Sequence, residues 1–240
     1  MASLDKKSIL LIYTCKKNHD REEAIRDSWL QDVRMPYKFV TNQHATSNDY
    51  LNVNCIDTYE SLAVKTFMVL QWFVSSEFEI LIKIDDDTFI NTTKLNAFNV
   101  SYDYTGLILE SYLTGNTYHQ GKCTSPHLNR QQLNYQHKHK FAAGGCYTLT
   151  KKAAKLALLN MDMDYIESAK NGELTQEDRM VGRSLHKSNI TVHNNGVWIN
   201  RDKNQYSVNN AMAIHPVCTR LMYKLKGGNS DIIMYNYYNA

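Results

Sequence analysis

The sequence predicts an α/β fold: a mostly parallel sheet with helices on both faces. Three observations carry this. Short, continuous apolar runs of strand length recur through the N-terminal half. Longer segments rich in helix formers lie between them. Strand–helix alternation of this kind builds β–α–β crossovers, which place helices on both faces of a parallel sheet.

The elements follow in order. Ser8–Tyr13 (SILLIY) is an apolar run typical of a buried strand. Residues 20–30 open with Asp20 and carry early acids, which favours a helix. Residues 37–40 read as a second strand, and residues 51–55 as a weaker third. Residues 60–75 are mostly apolar and free of breakers, too long for a strand, so a largely buried helix is expected. Residues 79–84 (EILIKI) form a central strand that runs into Asp85-Asp86-Asp87, and residues 88–90 resume an extended pattern. Residues 105–110 read as a strand. Residues 112–141, rich in Tyr, His, Asn and Gln, read as a loop covering the site. Residues 151–160 and 176–186 read as helices, and residues 197–199 and 211–215 as short strands.

Composition excludes several function classes. A net charge of +3, from 27 basic and 24 acidic residues, is too balanced for a nucleic-acid binder. No segment reaches the ~18 apolar residues that span a bilayer. The first seven residues leave no room for a signal segment before the first strand. Two settings fit: a cytoplasmic enzyme of microbial or viral type, or a Golgi luminal domain trimmed of its anchor. Five cysteines (15, 55, 123, 146 and 218) are odd in number and have no CxxC spacing, so reduced, mostly buried thiols are expected. Sequons begin at Asn91, Asn99 and Asn189. The sixteen tyrosines fit a biased source composition rather than a binding role.

The acidic triplet is the centre of the functional reading. On extended backbone Asp85 and Asp87 point to one side and Asp86 to the other. Three adjacent carboxylates repel one another, so a cation or backbone N–H groups must offset them. Carboxylates suit hard ions such as Mg²⁺ and Mn²⁺, which also bind phosphate oxygens. In an open α/β sheet the ligand site lies beyond the carboxyl ends of the strands, where the triplet stands. A metal-bound diphosphate is the expectation.

Five blocks, in order, resemble the β-1,3-glycosyltransferases of the galactosyltransferase/Fringe family. Residues 57–66 (DTYESLAVKT) resemble its D-x-Y-x-N-L-T-x-K-T, which precedes K-x-D-D-D-x-F by about twenty residues, as here Lys83 to Phe89. Residues 21–29 resemble R-x-x-A-I-R-x-(S/T)-W, residues 141–150 resemble Y-x-x-G-x-G-Y-x-L-S, and residues 177–182 resemble E-D-V-x-x-G. Two blocks depart from the pattern: Ser61-Leu62-Ala63 stands for Asn-Leu-Thr, and Gly144-Gly145-Cys146-Tyr147 for Gly-x-Gly-Tyr.

The resemblance implies a single GT-A domain over 1–240: a Rossmann-like mixed sheet with a DxD site, residues 8–110 as the nucleotide-binding half and 111–225 as the acceptor and catalytic half. It implies a UDP-sugar donor, Mn²⁺ (or Mg²⁺), inversion at the anomeric carbon, and a glycan or glycoprotein acceptor. Asp87 would bind the metal, with His215 completing the site; His193 and the His137/His139 pair are the other candidates. Asp85 and Asp86 would contact donor ribose, sugar or metal-bound water. Asp178 would be the general base. Arg21 is the better arginine for the nucleotide, Arg26 an ion-pair partner, and Thr14 a contact for uridine. Gly144 and Gly145 either let backbone approach a sugar or permit a turn. Lys65 either pairs with the triplet or snorkels outward. Trp29 and Trp72 read as core, and Trp198 could face the acceptor. Two other readings remain open: another Mg²⁺-dependent phosphate enzyme, such as a nucleotidyltransferase or phosphohydrolase, and an inactive sugar-binding protein on the same fold.

Overall fold

The computed structural model describes residues 2–3, 7–42, 47–110, 122–126, 139–161, 176–194, 198–200 and 212–215. Most of the expected covering loop, His137, Cys218 and the Trp198 side chain lie outside the described residues. The strands are β1 (Ala2–Ser3), β2 (Ser8–Tyr13), β3 (Tyr37–Thr41), β4 (Tyr50–Asn52), β5 (Ile80–Asp85), β6 (Phe89–Ile90), β7 (Asn99–Val100), β8 (Tyr104–Glu110), β9 (Lys140–Thr150), β10 (Trp198–Asn200) and β11 (Ala213–His215). The helices are α1 (His19–Asp27), α2 (Leu62–Ser75), α3 (Thr92–Asn96), α4 (Lys151–Asn160) and α5 (Glu177–His186).

The main sheet runs β4-β3-β2-β5-β9-β8. Its first four strands are parallel, and β9 is antiparallel to both β5 and β8. The sheet is therefore mixed. The expectation of a mostly parallel sheet holds for one side of it, and the mixed sheet implied by the family resemblance describes the whole. Strand β9 lay hidden in the sequence because Gly144 and Gly145 interrupt its apolar pattern. Burial of β2 alternates between two cores. Leu10 and Ile12 join α1 and Trp29 on one face; Ile9, Leu11 and Tyr13 join α2, α4 and α5 on the other. A strand buried on both faces loses the polar alternation of a surface strand, which is why SILLIY is continuously apolar. Each such Ile or Leu stabilises the fold by ~1.5–3 kcal/mol.

Local chemistry sets the helix boundaries. The Thr150 side chain accepts from the Ala153 N–H at 3.2 Å and starts α4. The Asn91 side chain likewise accepts from Lys94 N and starts α3, which commits that sequon asparagine to the backbone. The first helix stops at Asp27, short of the expected residue 30. A 3₁₀ turn over Trp29–Asp32 follows and tucks Trp29 and Leu30 into the core. In α2 the buried positions are Ala63, Lys65, Thr66, Val69, Leu70 and Phe73, one helical stripe facing the sheet. Trp72 packs on Phe78 beside it.

Two features place the site. Strand β2 has β3 on one side and β5 on the other, so the strand order reverses there, and Tyr13 pairs with Asp85 at the carboxyl ends. This is the crevice where open α/β sheets bind ligands. A second sheet, β10-β11-β6, pairs Ile214 with Phe89 and so carries the end of β11 to the triplet.

Candidate active site

The triplet divides as alternation demands. Asp85 and Asp87 turn toward His215, and one ligand atom from each of the three lies within 4.8 Å of the others. Asp86 turns the other way and is buried. Its Oδ1 accepts from Arg21 Nη1 and its Oδ2 from Asn18 Nδ2, both at 2.7 Å. Burial pushes Asp86 up to about 6, against the pull of Arg21 and Asn18. Arg21 also stands 3.7 Å from Asp87 Oδ2. The arginine expected at the nucleotide therefore reaches the triplet itself. Arg26 forms an ion pair with Asp49 at 2.5 Å and lies over the Phe39 ring, the structural role expected of it.

The donor set fits a divalent cation. Asp87 Oδ1 lies 2.9 Å from His215 Nδ1, and no other group among the described residues hydrogen-bonds it. Two carboxylates and an imidazole converging in this way match the ligand chemistry of Mn²⁺ better than that of Mg²⁺. Burial alone would raise Asp87; its contact with His215, then the charges of Arg21 and Lys122, outweigh it and hold the carboxyl below its usual range. Burial lowers His215, but Asp87 overrides it and the imidazole is raised. Thr88 orients the ring: its hydroxyl donates to Gly145 O at 2.9 Å and lies 3.1 Å from His215 Nδ1.

Gly145 has a steric reason to be glycine. A Cβ there would sit 2.3 Å from His215 Cγ. Gly145→Ala should therefore push the imidazole out of the cluster and weaken Mn²⁺ binding at least ~10-fold, the scale set by ligand-orienting contacts. Isothermal titration with Mn²⁺ checks this; an unchanged dissociation constant would remove His215 from the ligand set.

Asp178 lies across the Gly144–Gly145 segment, at the first turn of α5. Its Oδ2 accepts from Gly144 N at 3.0 Å and its Oδ1 from Arg179 N at 2.7 Å. Burial raises its carboxyl above the ordinary range, against the charge of Lys83. Thr14 is buried at the end of β2, and its hydroxyl has no hydrogen-bond partner among the described residues. Of the other histidines considered, His139 is buried beside Arg179 O, and His193 stacks on Tyr102 at 3.9 Å. Neither belongs to the Asp85–Asp87–His215 cluster. Cys15, Cys55 and Cys146 are free thiols.

Sequence patterns alone assign no role to Lys83 or Asn18. A lysine inside EILIKI, two residues before Asp85 on the same strand face, was the available signal for the first. Asn18 carried none.

The galactosyltransferase family model matches residues 20–196. The chain belongs to the galactosyltransferase family. Among curated relatives, it is 23% identical over 131 residues to the UDP-GalNAc:beta-1,3-N-acetylgalactosaminyltransferase 1 of Rattus norvegicus, covering 53% of this chain and 37% of that protein. It is 22% identical over 190 residues to the Sus scrofa enzyme of the same name, covering 77% and 52%. This galactosyltransferase-family chain thus spans between about a third and about half the length of these relatives. Among solved structures it resembles the galactosyltransferase LgtC in complex with donor and acceptor sugar analogs. The TM-score is 0.50 at 8% identity, over 91% of this chain and 95% of that one. An active-site mutant of LgtC matches with the same TM-score and identity, over 95% and 97%. This likeness establishes the α/β GT-A fold of the family member, a single domain built on the six-stranded mixed sheet. None of its described helices is long and apolar enough to cross a membrane.

Proposed function

We propose that this chain is a metal-dependent, inverting glycosyltransferase that moves a hexose or related sugar from a UDP-sugar to a hydroxyl of a glycan or glycoprotein. The observation that carries the reading is the two-sided site. A cluster fit to hold a cation, Asp85, Asp87 and His215, faces one side of Gly144–Gly145, and a half-buried, backbone-held carboxylate, Asp178, lies on the other. A phosphate enzyme needs the first half alone; glycosyl transfer to a hydroxyl needs both.

Asp87 and His215 would hold the ion, Mn²⁺ by ligand type, with Asp85 at its edge. Bound there, the ion supplies positive charge against the diphosphate of the leaving UDP. Thr14 and Arg21 stand on the nucleotide side of the crevice, with Asp86 held between Arg21 and Asn18. Asp85 and the Gly145 backbone border the donor sugar, while Asp86, buried and turned away, orients Arg21. Asp178 takes the proton from the acceptor hydroxyl as its oxygen bonds to the anomeric carbon. The bond from that carbon to the diphosphate oxygen breaks, and its electron pair leaves with UDP. Attack from the face opposite the departing UDP inverts the centre. Burial of Asp178 makes it a stronger base than an exposed carboxylate, and the Gly144 and Arg179 N–H groups fix its aim.

A panel of nucleotide sugars, with and without Mn²⁺, tests the reading by UDP release. One donor should be favoured, and EDTA should abolish release; equal turnover of nucleotides that carry no sugar overturns it. Asp178→Asn should keep UDP binding and lose at least ~100-fold in turnover, the scale of general-base catalysis. Wild-type turnover should fall as pH drops, because the base must be ionised. The midpoint should lie above the ordinary carboxylate range, since burial raises Asp178. Full transfer by Asp178→Asn would remove it from the base role.

A further inference from the structure

One buried ammonium touches both halves of the site. Lys83 is 1% exposed. Its Nζ donates to Asp85 Oδ1 at 2.6 Å, to Gly144 O at 2.5 Å and to Glu177 Oε1 at 2.5 Å. These partners come from three separate elements: β5, β9 and the first turn of α5. Asp85 belongs to the cation cluster. Glu177 adjoins Asp178. The Gly144 backbone serves both sides, since its carbonyl accepts from Lys83 while its N–H donates to Asp178. The Tyr13 and Tyr147 rings flank the ammonium at 4.8 and 5.5 Å, which leaves it little freedom to move.

We propose that Lys83 is a positioning residue that fixes the cation-side carboxylate Asp85 and the base-bearing segment Gly144/Glu177–Asp178 in one rigid relation. The inference rests on the transferase reading and adds to it a residue that touches neither donor nor acceptor.

Chemistry requires such a residue here. Asp85, Glu177 and Asp178 bring three carboxyl groups together, Glu177 buried and the other two half-buried. Like charges at that range push apart unless a cation stands between them. The Lys83 Nζ stands between two of these carboxyl groups, within 2.6 Å of both Asp85 and Glu177. An apolar side chain at position 83 lets Asp85 swing out of the cation cluster and Glu177 draw the start of α5 away from Gly144. Both halves of the site then lose aim together. Lysine fits because its ammonium offers three donors, and three acceptors are present.

The test compares Lys83→Met and Glu177→Gln with the wild type. Mn²⁺ affinity is measured by titration without donor, and kcat and donor KM at saturating Mn²⁺. Lys83→Met should raise the Mn²⁺ dissociation constant roughly 10-fold and lower kcat by roughly 10- to 100-fold, the range for contacts that orient ligands. Glu177→Gln keeps the shape and cuts only the α5 arm. It should lower kcat roughly 10-fold and leave Mn²⁺ affinity unchanged. A merely structural lysine would lower the melting temperature and move neither constant. If Lys83→Met does not fold, Glu177→Gln carries the test, and unchanged kcat there overturns the proposal. Unchanged Mn²⁺ affinity and kcat in folded Lys83→Met overturn it as well. A wild-type protein that neither binds Mn²⁺ nor releases UDP overturns the function reading itself, a result distinct from wild-type activity that Lys83→Met matches.

Discussion

Asp87→Ala should abolish sugar transfer and the thermal stabilisation conferred by Mn²⁺, while leaving the metal-free fold intact. Asp87 is the residue on which the cluster converges: its Oδ1 lies 2.9 Å from His215 Nδ1, and its Oδ2 faces Arg21. A bound cation at a departing diphosphate is worth several kcal/mol of transition-state stabilisation. Its loss should lower turnover by roughly 10³-fold, since each ~1.4 kcal/mol is tenfold. The stability arm is separate. Without metal, Asp87 pairs with His215 at 2.9 Å, a contact that holds the carboxyl down and the imidazole up. Metal-free Asp87→Ala should therefore melt slightly below metal-free wild type, by ~1 kcal/mol or less, the scale of a partly exposed pair. At 100 times its dissociation constant, Mn²⁺ should stabilise the wild type by ~2.7 kcal/mol. For a chain of this size that is ~5–10 °C in melting temperature. Differential scanning fluorimetry with and without Mn²⁺ reads both arms. A full Mn²⁺ shift in Asp87→Ala would displace the metal from this cluster.

The second large effect is on stability alone. Lys65→Met should cost ~3–5 kcal/mol, the cost of breaking one side of a buried ion pair. Lys65 is 3% exposed, donates to Thr14 O at 2.8 Å and pairs with Asp57. Methionine fills the same space but leaves the Asp57 carboxylate and the Thr14 carbonyl without their cation. Urea unfolding should show a lower midpoint with an unchanged slope. Asp57→Asn placed on top of Lys65→Met should recover part of the loss, because it removes the stranded charge. A shift under ~1 kcal/mol would place the pair among weak surface bridges. The expectation that Lys65 meets the triplet or snorkels outward is corrected here. Its charge is turned inward, onto Asp57 at the loop before α2 and onto the end of β2. Mn²⁺ affinity should be the same in Lys65→Met and wild type.

These two residues show where sequence reading reached and where it stopped. Asp87 was legible because the strand pattern of EILIKI, the triplet after it and the two-residue alternation all act within a few positions of one another. Lys65 was legible as a lysine in an apolar helix, but its partner was not. The Asp57 side chain reaches it only because the loop folds back on α2 and β2. Strand β9 was missed for a related reason. The glycines that weaken its strand pattern are the positions where Glu177, Asp178 and His215 crowd the backbone, and only the assembled site shows that crowding.

What the sequence by itself determined is local. Apolar runs with no polar alternation had to be strands buried on both faces, and helix-forming stretches between them had to pack over the sheet. The acidic triplet had to lie at a strand end with Asp85 and Asp87 on one side. These follow from backbone periodicity and side-chain burial, which act over short spans of chain. The tertiary structure alone decided the reversed direction of β9, the pairing of β11 with β6 that brings His215 to Thr88 across 127 positions, and the contact of Lys83 with Glu177 across 94. The physical reason is that a buried ammonium or a converging ligand set is satisfied by whichever groups the packed sheet and helices bring within ~3 Å, and that proximity is a property of the whole assembly.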